Sequence, residues 1–142
     1  MLKDKNKCKG SVEPMKNKGW IVVNWLLLII WLGIIFYFSS VPNLRISEQW
    51  WDLILRKIAH FSEFFVLSWL WCRALVVTKT DISRRHLFLL SCGLSIFCAF
   101  LDEFHQSFVP TRHASLMDVF IDSLGALFFG VLLDVRIKTI HD

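Results

Sequence analysis

The run IVVNWLLLIIWLGIIFYF, positions 21–38, carries no charge and constrains this chain more than any other stretch. As an α-helix it is roughly 27 Å long, close to the thickness of a bilayer's hydrocarbon core. The rest of the chain agrees with that reading. Apolar residues make up 55% of the sequence, with seven Trp and thirteen Phe, and they come in blocks rather than at the regular spacing of a soluble core. Six lysines precede the first run, as they do in a secretory signal. The run is long for the apolar part of such a signal and no A-x-A site follows it, so it is expected to stay as a membrane helix.

Three further apolar segments follow, from about Leu53 to Val77, His86 to Gln106 and Ser115 to Val135. The expected fold is an all-α integral membrane protein, a bundle of four transmembrane helices. Residues 1–19 form a basic cytoplasmic tail and residues 20–138 the membrane domain. Basic residues set the orientation. Lys3, Lys5, Lys7, Lys9, Lys16, Lys18, Arg73, Lys79, Arg84, Arg85, Arg136 and Lys138 fall on one side, against Arg45, Arg56, Lys57 and Arg112 on the other. Both termini are therefore expected in the cytoplasm. Trp20, Trp69 and Trp71 suit the inner interface, Trp50 and Trp51 the outer one. The net charge of +4 is concentrated in the tail and one loop, which argues against nucleic-acid binding. Cys8, Cys72, Cys92 and Cys98 show no CxxC spacing and read as small packing residues.

This topology gathers most of the ionisable residues of the spans at the outer end. Arg56, His60 and Glu63 share one helical face, with Lys57 at its edge. Ser91, Ser95, Asp102, His105 and Gln106 form a stripe on the third span, beside Glu103; Ser115, Asp118 and Asp122 line up on the fourth, continued by Gly125 and Ala126. Charges at membrane depth are costly unless they pair or face a wet cavity, so they mark candidate function.

Structural roles compete for several of these positions. Ser115 and Asp118 form S-x-x-D at a helix start, a capping-box pattern, and Asp52 reads as a helix cap. Gly125 and Gly130 suit close helix packing. Arg45, His86, His113 and His141 read as solvated. Asp102 and Glu103 lie near a helix C-terminus and Arg56 and Lys57 near an N-terminus, each on the wrong end of the helix dipole. An ion network pairing Arg56, Lys57 and Arg112 with Glu63, Asp102, Glu103, Asp118 and Asp122 would offset that.

Four pieces in order, FSSVP, KIAHFSEF, LDEFHQSFVPTR and DVFIDSLGALFFG, give a sequence that resembles the VanZ-like family of bacterial membrane proteins over about Trp20 to Val135. The positions that match the family pattern are Lys57, His60, Glu63, Asp102, Glu103, His105, Gln106, Pro110, Arg112, Ser115, Asp118 and Gly125. Thr111 stands where Gly is common, and Asp122 where Asn is usual, which adds a negative charge suited to an extra cation ligand. The resemblance implies a four-helix domain in the bacterial plasma membrane, a role in the cell envelope and a link to teicoplanin-type glycopeptide resistance. It implies no reaction.

Two functions fit the residues. In the first, an outward-facing site binds an envelope lipid or lipoglycopeptide: Arg56, Lys57 and Arg112 hold a phosphate or carboxylate, Gln106, Ser115, Asp118 and Asp122 complete the contacts, and aromatic walls accept acyl chains. In the second, the chain is a membrane enzyme acting on an envelope lipid. His60, Glu63, Asp102, Glu103 and His105 are its catalytic candidates, with His60 or His105 as general base. Glu63, Asp102, Glu103, Asp118 and Asp122, with His60 and His105, could collect a divalent metal, the first four being the leading candidates. No HExxH motif, nucleophile elbow or prosthetic-group signature is present. An ion relay is a third class, with only Ser91, Cys92 and Ser95 to continue the polarity inward.

Overall fold

A computed structural model describes residues 18–42, 50–79, 82–110, 112 and 114–139, with the backbone alone over 133–139. Four helices account for nearly all of it: α1 (Lys18–Ser40), α2 (Trp50–Thr78), α3 (Arg84–Gln106) and α4 (Leu116–Thr139). There is no strand among the described residues. α1 and α2 extend the corresponding apolar segments at both ends, α3 starts two residues earlier and ends at Gln106 as expected, and α4 starts one residue later and runs on to Thr139.

The helix ends have local causes. Val41 and Pro42 follow the last turn of α1; the ring of Pro42 removes an N–H and biases Val41 away from helical geometry. Ser83 caps α3 from an extended conformation, its hydroxyl accepting from the His86 amide, so α3 begins two residues before His86. Asp52, expected as a cap, lies inside the first turn of α2 instead. It is 2% exposed and pairs with Arg56 one turn on, at 3.3 Å. A carboxylate there also offsets the positive end of the α2 dipole.

α2 is the hub. It packs against α1, α3 and α4, while α3 also meets α1 and α4. The described residues show no α1–α4 packing. α1 buries only Asn24, Leu28, Ile35 and Ser39, a single stripe, and turns Ile29, Ile30 and Tyr37 outward. Two indole N–H groups tie it to α2: Trp25 donates to the Thr78 hydroxyl (3.0 Å) and Trp31 to the Glu63 carbonyl (3.1 Å). Trp71, read as an interface residue, turns inward and meets Trp25 edge to face at 6.0 Å.

The α2–α4 seam depends on small residues. A Cβ on Gly125 would collide with the Phe61 carbonyl oxygen, so the two backbones meet there with no side chain between them. Phe61, Phe65, Phe128 and Phe129 fill the seam below. α3 presents Ser91, Ser95 and Ala99, all fully buried. Ser91 and Ser95 donate to carbonyls of their own helix, so their polarity is spent locally and continues no path along the bundle.

Much of the remaining helix surface is apolar and outward. Phe97, Phe100, Leu116, Phe120 and Val131 are each more than half exposed. Three helices, α1, α2 and α3, are long and apolar enough to cross a membrane. An apolar exterior on helices whose backbone hydrogen bonds close internally is what lipid demands as solvent.

Candidate functional site

At one end of the bundle, the C-terminal ends of α1 and α3 meet the N-terminal ends of α2 and α4. Arg112, in the α3–α4 connection, closes the end of α1. Its guanidinium donates to the Phe38 carbonyl (2.9 Å), to the Val41 carbonyl (3.2 and 3.4 Å) and to Gln106 Oε1 (3.2 Å). A cation on the last carbonyls of a helix satisfies orphan acceptors and the dipole together. The expected network paired Arg112 with carboxylates. It rests instead on carbonyls and an amide.

Arg112 also orders what lies behind it. With Gln106 Oε1 accepting from Arg112, its Nε2 donates to Asp102 Oδ2 (2.7 Å) and to Ser39 Oγ (3.3 Å). Ser39 is 1% exposed and Gln106 6%. The FSSVP end of α1 thus supplies carbonyls and a buried hydroxyl.

The start of α4 uses a divided capping box. Ser115 Oγ accepts from the Met117 amide (3.2 Å), as an N-cap does. The reciprocal acceptor for the Ser115 amide is Glu103 Oε1 of α3, not Asp118. Asp118 is thereby free to pair with Lys57 of α2 at 2.5 Å. Of the four residues that oppose the dipole of their own helix, two are resolved by a neighbouring one, since Glu103 serves the α4 N-terminus and Lys57 faces an acid in the first turn of α4.

Inside this rim sits His60. Its Nδ1 lies 3.7 Å from Glu63 Oε2 and 3.8 Å from Asp122 Oδ1, too far for hydrogen bonds. His60 Nδ1 and Asp122 Oδ1 are both buried without a hydrogen-bond partner among the described residues. His60, Asp102 and Asp122 each offer one ligand atom, all within 4.8 Å of one another. The sequence named Glu63, Asp102, Glu103, Asp118 and Asp122, with His60 and His105, as possible metal donors, and His60, Asp102 and Asp122 are the ones that converge. Glu103 is engaged by the Ser115 amide and Asp118 by Lys57.

A cavity of about 240 Å³ opens beside the trio, lined by Phe38, Arg56, Ala59, His60, Glu63 and Arg112. Two guanidiniums, an imidazole and a carboxyl therefore share one recess with an apolar edge. Arg56 Nε, though close to Asp52, makes no hydrogen bond among the described residues.

His105 is placed apart from His60. It turns to α1, stacks on Phe36 with ring centroids 4.2 Å apart, and its Nε2 meets Ser40 Oγ at 3.0 Å. The helical stripe shared by Asp102, His105 and Gln106 is wide enough that its edge faces a different helix. Arg45, His113 and His141 lie outside the described residues. Sequence reasoning assigned no site role to Ser39, to the α1 carbonyls or to Asp52 as the partner of Arg56. The FSSVP motif was the available signal for the first two.

A family model described as VanZ/LLP1 matches residues 24–136. No curated protein and no solved structure matches the chain. The matched span takes in most of all four helices and every residue of the polar end, and with α1 to α3 apolar enough to cross a bilayer, the chain is a multi-pass membrane protein that belongs to the VanZ/LLP1 family.

Proposed function

We propose that this protein binds the anionic head of an envelope lipid or lipoglycopeptide at its polar end. In this reading all four helices span the bacterial plasma membrane, both termini are cytoplasmic, and the polar end faces outward. The carrying observation is the recess that Arg56 and Arg112 share with His60 and Glu63, edged by Phe38. The Arg56 guanidinium, whose Nε makes no hydrogen bond among the described residues, suits a phosphate or carboxylate, with Arg112 adding positive charge while it holds the end of α1, and the apolar helix exteriors beside them suit acyl chains. Occupying such an amphipath, or the drug itself, would limit the access of a lipid-tailed glycopeptide to its target.

Susceptibility of a sensitive host tests this reading. The host expresses the native protein, Arg56→Gln or Arg112→Gln, with membrane abundance matched by blot. The native protein should raise the tolerated teicoplanin concentration and leave that of vancomycin, which lacks the lipid tail, unchanged. Both variants should lose the effect. No native protection, or protection kept by both variants, refutes the reading.

A second reading, an enzyme on the same lipid, is favoured by His60 alone, which lines the recess and also faces the buried carboxylates. There it would take the proton of a water attacking a head-group phosphorus and return it to the departing alcohol. Reconstituted protein with a fluorescent phospholipid tests that step. Product formed by native protein and not by His60→Gln supports it, and no product opposes it.

A further inference from the structure

We propose that His60, Asp102 and Asp122 form a binding site for one divalent cation of the Mn²⁺/Zn²⁺ class. The site lies beside the recess of the head-group reading and extends that reading, but it needs no lipid to form.

The three donors come from three helices, α2, α3 and α4, so the bundle itself assembles them. An acidic cluster alone would not make a site, and here a second observation does. Asp122 is 1% exposed, yet its Oδ1 has no hydrogen-bond partner among the described residues, and neither has the buried Nδ1 of His60 that faces it. With Nδ1 as the unprotonated nitrogen of His60, two lone-pair atoms 3.8 Å apart, each short of a partner, face each other across a gap that a shared ion would fill. With bonds of about 2.1 Å, ligands on opposite sides of an ion lie about 4.2 Å apart, the widest separation one ion can span. The trio lies within 4.8 Å, so side-chain rotations must draw its widest pair together by up to about 0.6 Å when the ion binds.

Charge points the same way. Asp102 and Asp122 have no Lys or Arg within ion-pairing distance among the described residues, since Lys57 is paired with Asp118, Arg56 with Asp52, and Arg112 with carbonyls. With both acids ionised and the imidazole neutral, the trio would present the two negative charges that a divalent ion cancels. The mixed N,O donor set selects first-row transition ions over Mg²⁺ and Ca²⁺, whose sites are built from oxygen. Asp102 is already oriented from outside the trio, by Gln106 and through it Arg112, as ligating carboxylates commonly are. Glu63, 3.7 Å from His60, is the nearest further carboxylate, and the recess supplies the side from which water or a head-group oxygen completes the coordination.

The test uses the full chain, purified in detergent, stripped with a chelator, and titrated with Mn²⁺ while the signal of free Mn²⁺ is followed by electron paramagnetic resonance. Mn²⁺ is chosen because its preference for oxygen and nitrogen donors keeps the cysteine thiols out of the measurement. A parallel Zn²⁺ titration is read by thermal shift. The native protein should bind one Mn²⁺ per chain. Asp122→Asn and His60→Gln should each weaken binding by more than the roughly 10-fold to 100-fold that losing a mere supporting residue costs. Helical circular dichroism shows whether each variant folds, and the native titration stands even where one does not. The proposal is overturned if the native protein binds neither ion below about 1 mM, the weak end of protein sites. It is equally overturned if folded Asp122→Asn and His60→Gln bind as the native protein does. The titration contains no lipid and no drug, so its failure leaves the head-group reading standing, and failure of the susceptibility test leaves the cation site standing.

Discussion

Replacing Gly125 with Ala should destabilise the protein, although Ala is the better helix former. The added Cβ would strike the Phe61 carbonyl oxygen and come within 3.0 Å of its carbon and 3.2 Å of the Phe61 Cα, all backbone atoms of α2. Backbone cannot rotate away, so α4 must retreat. Overpacking of this kind costs about 1–3 kcal/mol. A seam widened by about 0.5–1 Å also forfeits a quarter to a half of the dispersion across it. Here that seam holds the Phe61–Phe128, Phe65–Phe128 and Phe65–Phe129 contacts. Removing a helical glycine returns about 1 kcal/mol. With the lost dispersion included, the balance is a net loss of about 1–2 kcal/mol, or roughly 3–7 °C in Tm for a chain of this size.

Gly33 is the matched control. A Cβ there meets nothing within 4 Å, so Gly33→Ala keeps only the propensity gain and should melt at or above the native temperature. Gly130→Ala should fall between the two. Its Cβ meets the Phe88 ring and Cys92 Sγ, side chains that can shift where backbone cannot. Thermal unfolding in detergent, followed by tryptophan fluorescence, ranks the three. If Gly125→Ala melts at or above native while Gly33→Ala behaves as stated, the backbone contact does not hold the seam and the reasoning is wrong. Asp122 lies one turn from Gly125, so the same variant should weaken Mn²⁺ binding as well.

Two further outcomes follow from the rim. Glu103→Ala should lose about 1.5–3 kcal/mol, the usual worth of a hydrogen bond to a charged group, by leaving the Ser115 amide without its acceptor. Glu103→Gln keeps an oxygen there and should retain most of the stability in the same melt; equal losses would mean that charge and not capping is what Glu103 supplies. Lys57 and Asp118 are each about one-third exposed at the side chain, so a double-mutant cycle with Lys57→Met and Asp118→Asn should give a coupling of no more than about 1 kcal/mol that shrinks in high salt. A coupling several times larger, insensitive to salt, would place the pair in a drier setting than its exposure indicates.

The helices were legible because lipid-facing segments need length and apolarity above all, and both are visible in a single sequence. Their partners were not. Periodicity put Arg56, His60 and Glu63 on one face, and they do line one recess. It also put His105 with Asp102 and Gln106, and the edge of that stripe turned to α1. Charge complementarity suggested Arg112 with a carboxylate. The end of α1 offered carbonyls that only an incoming donor could satisfy, and backbone groups of this kind leave no mark in side-chain composition. The S-x-x-D pattern located the start of α4 correctly. It could not reveal that the second half of the box comes from a different helix, which is what frees Asp118 for Lys57.

A purely structural ion network is the strongest rival to a functional site here, and it accounts for the rim alone. Lys57 with Asp118, Arg56 with Asp52, Glu103 on an amide and Arg112 on carbonyls each have a stabilising partner. Remove those and Glu63, Asp102 and Asp122 remain around one histidine, with two buried atoms lacking hydrogen bonds. A bundle selected for stability alone would have an apolar residue or an amide at one of these positions, since replacing buried charge by well-packed neutral groups is often stabilising. The proposed cation would relieve that crowding, with the rim as the frame around it beside the arginine-lined recess.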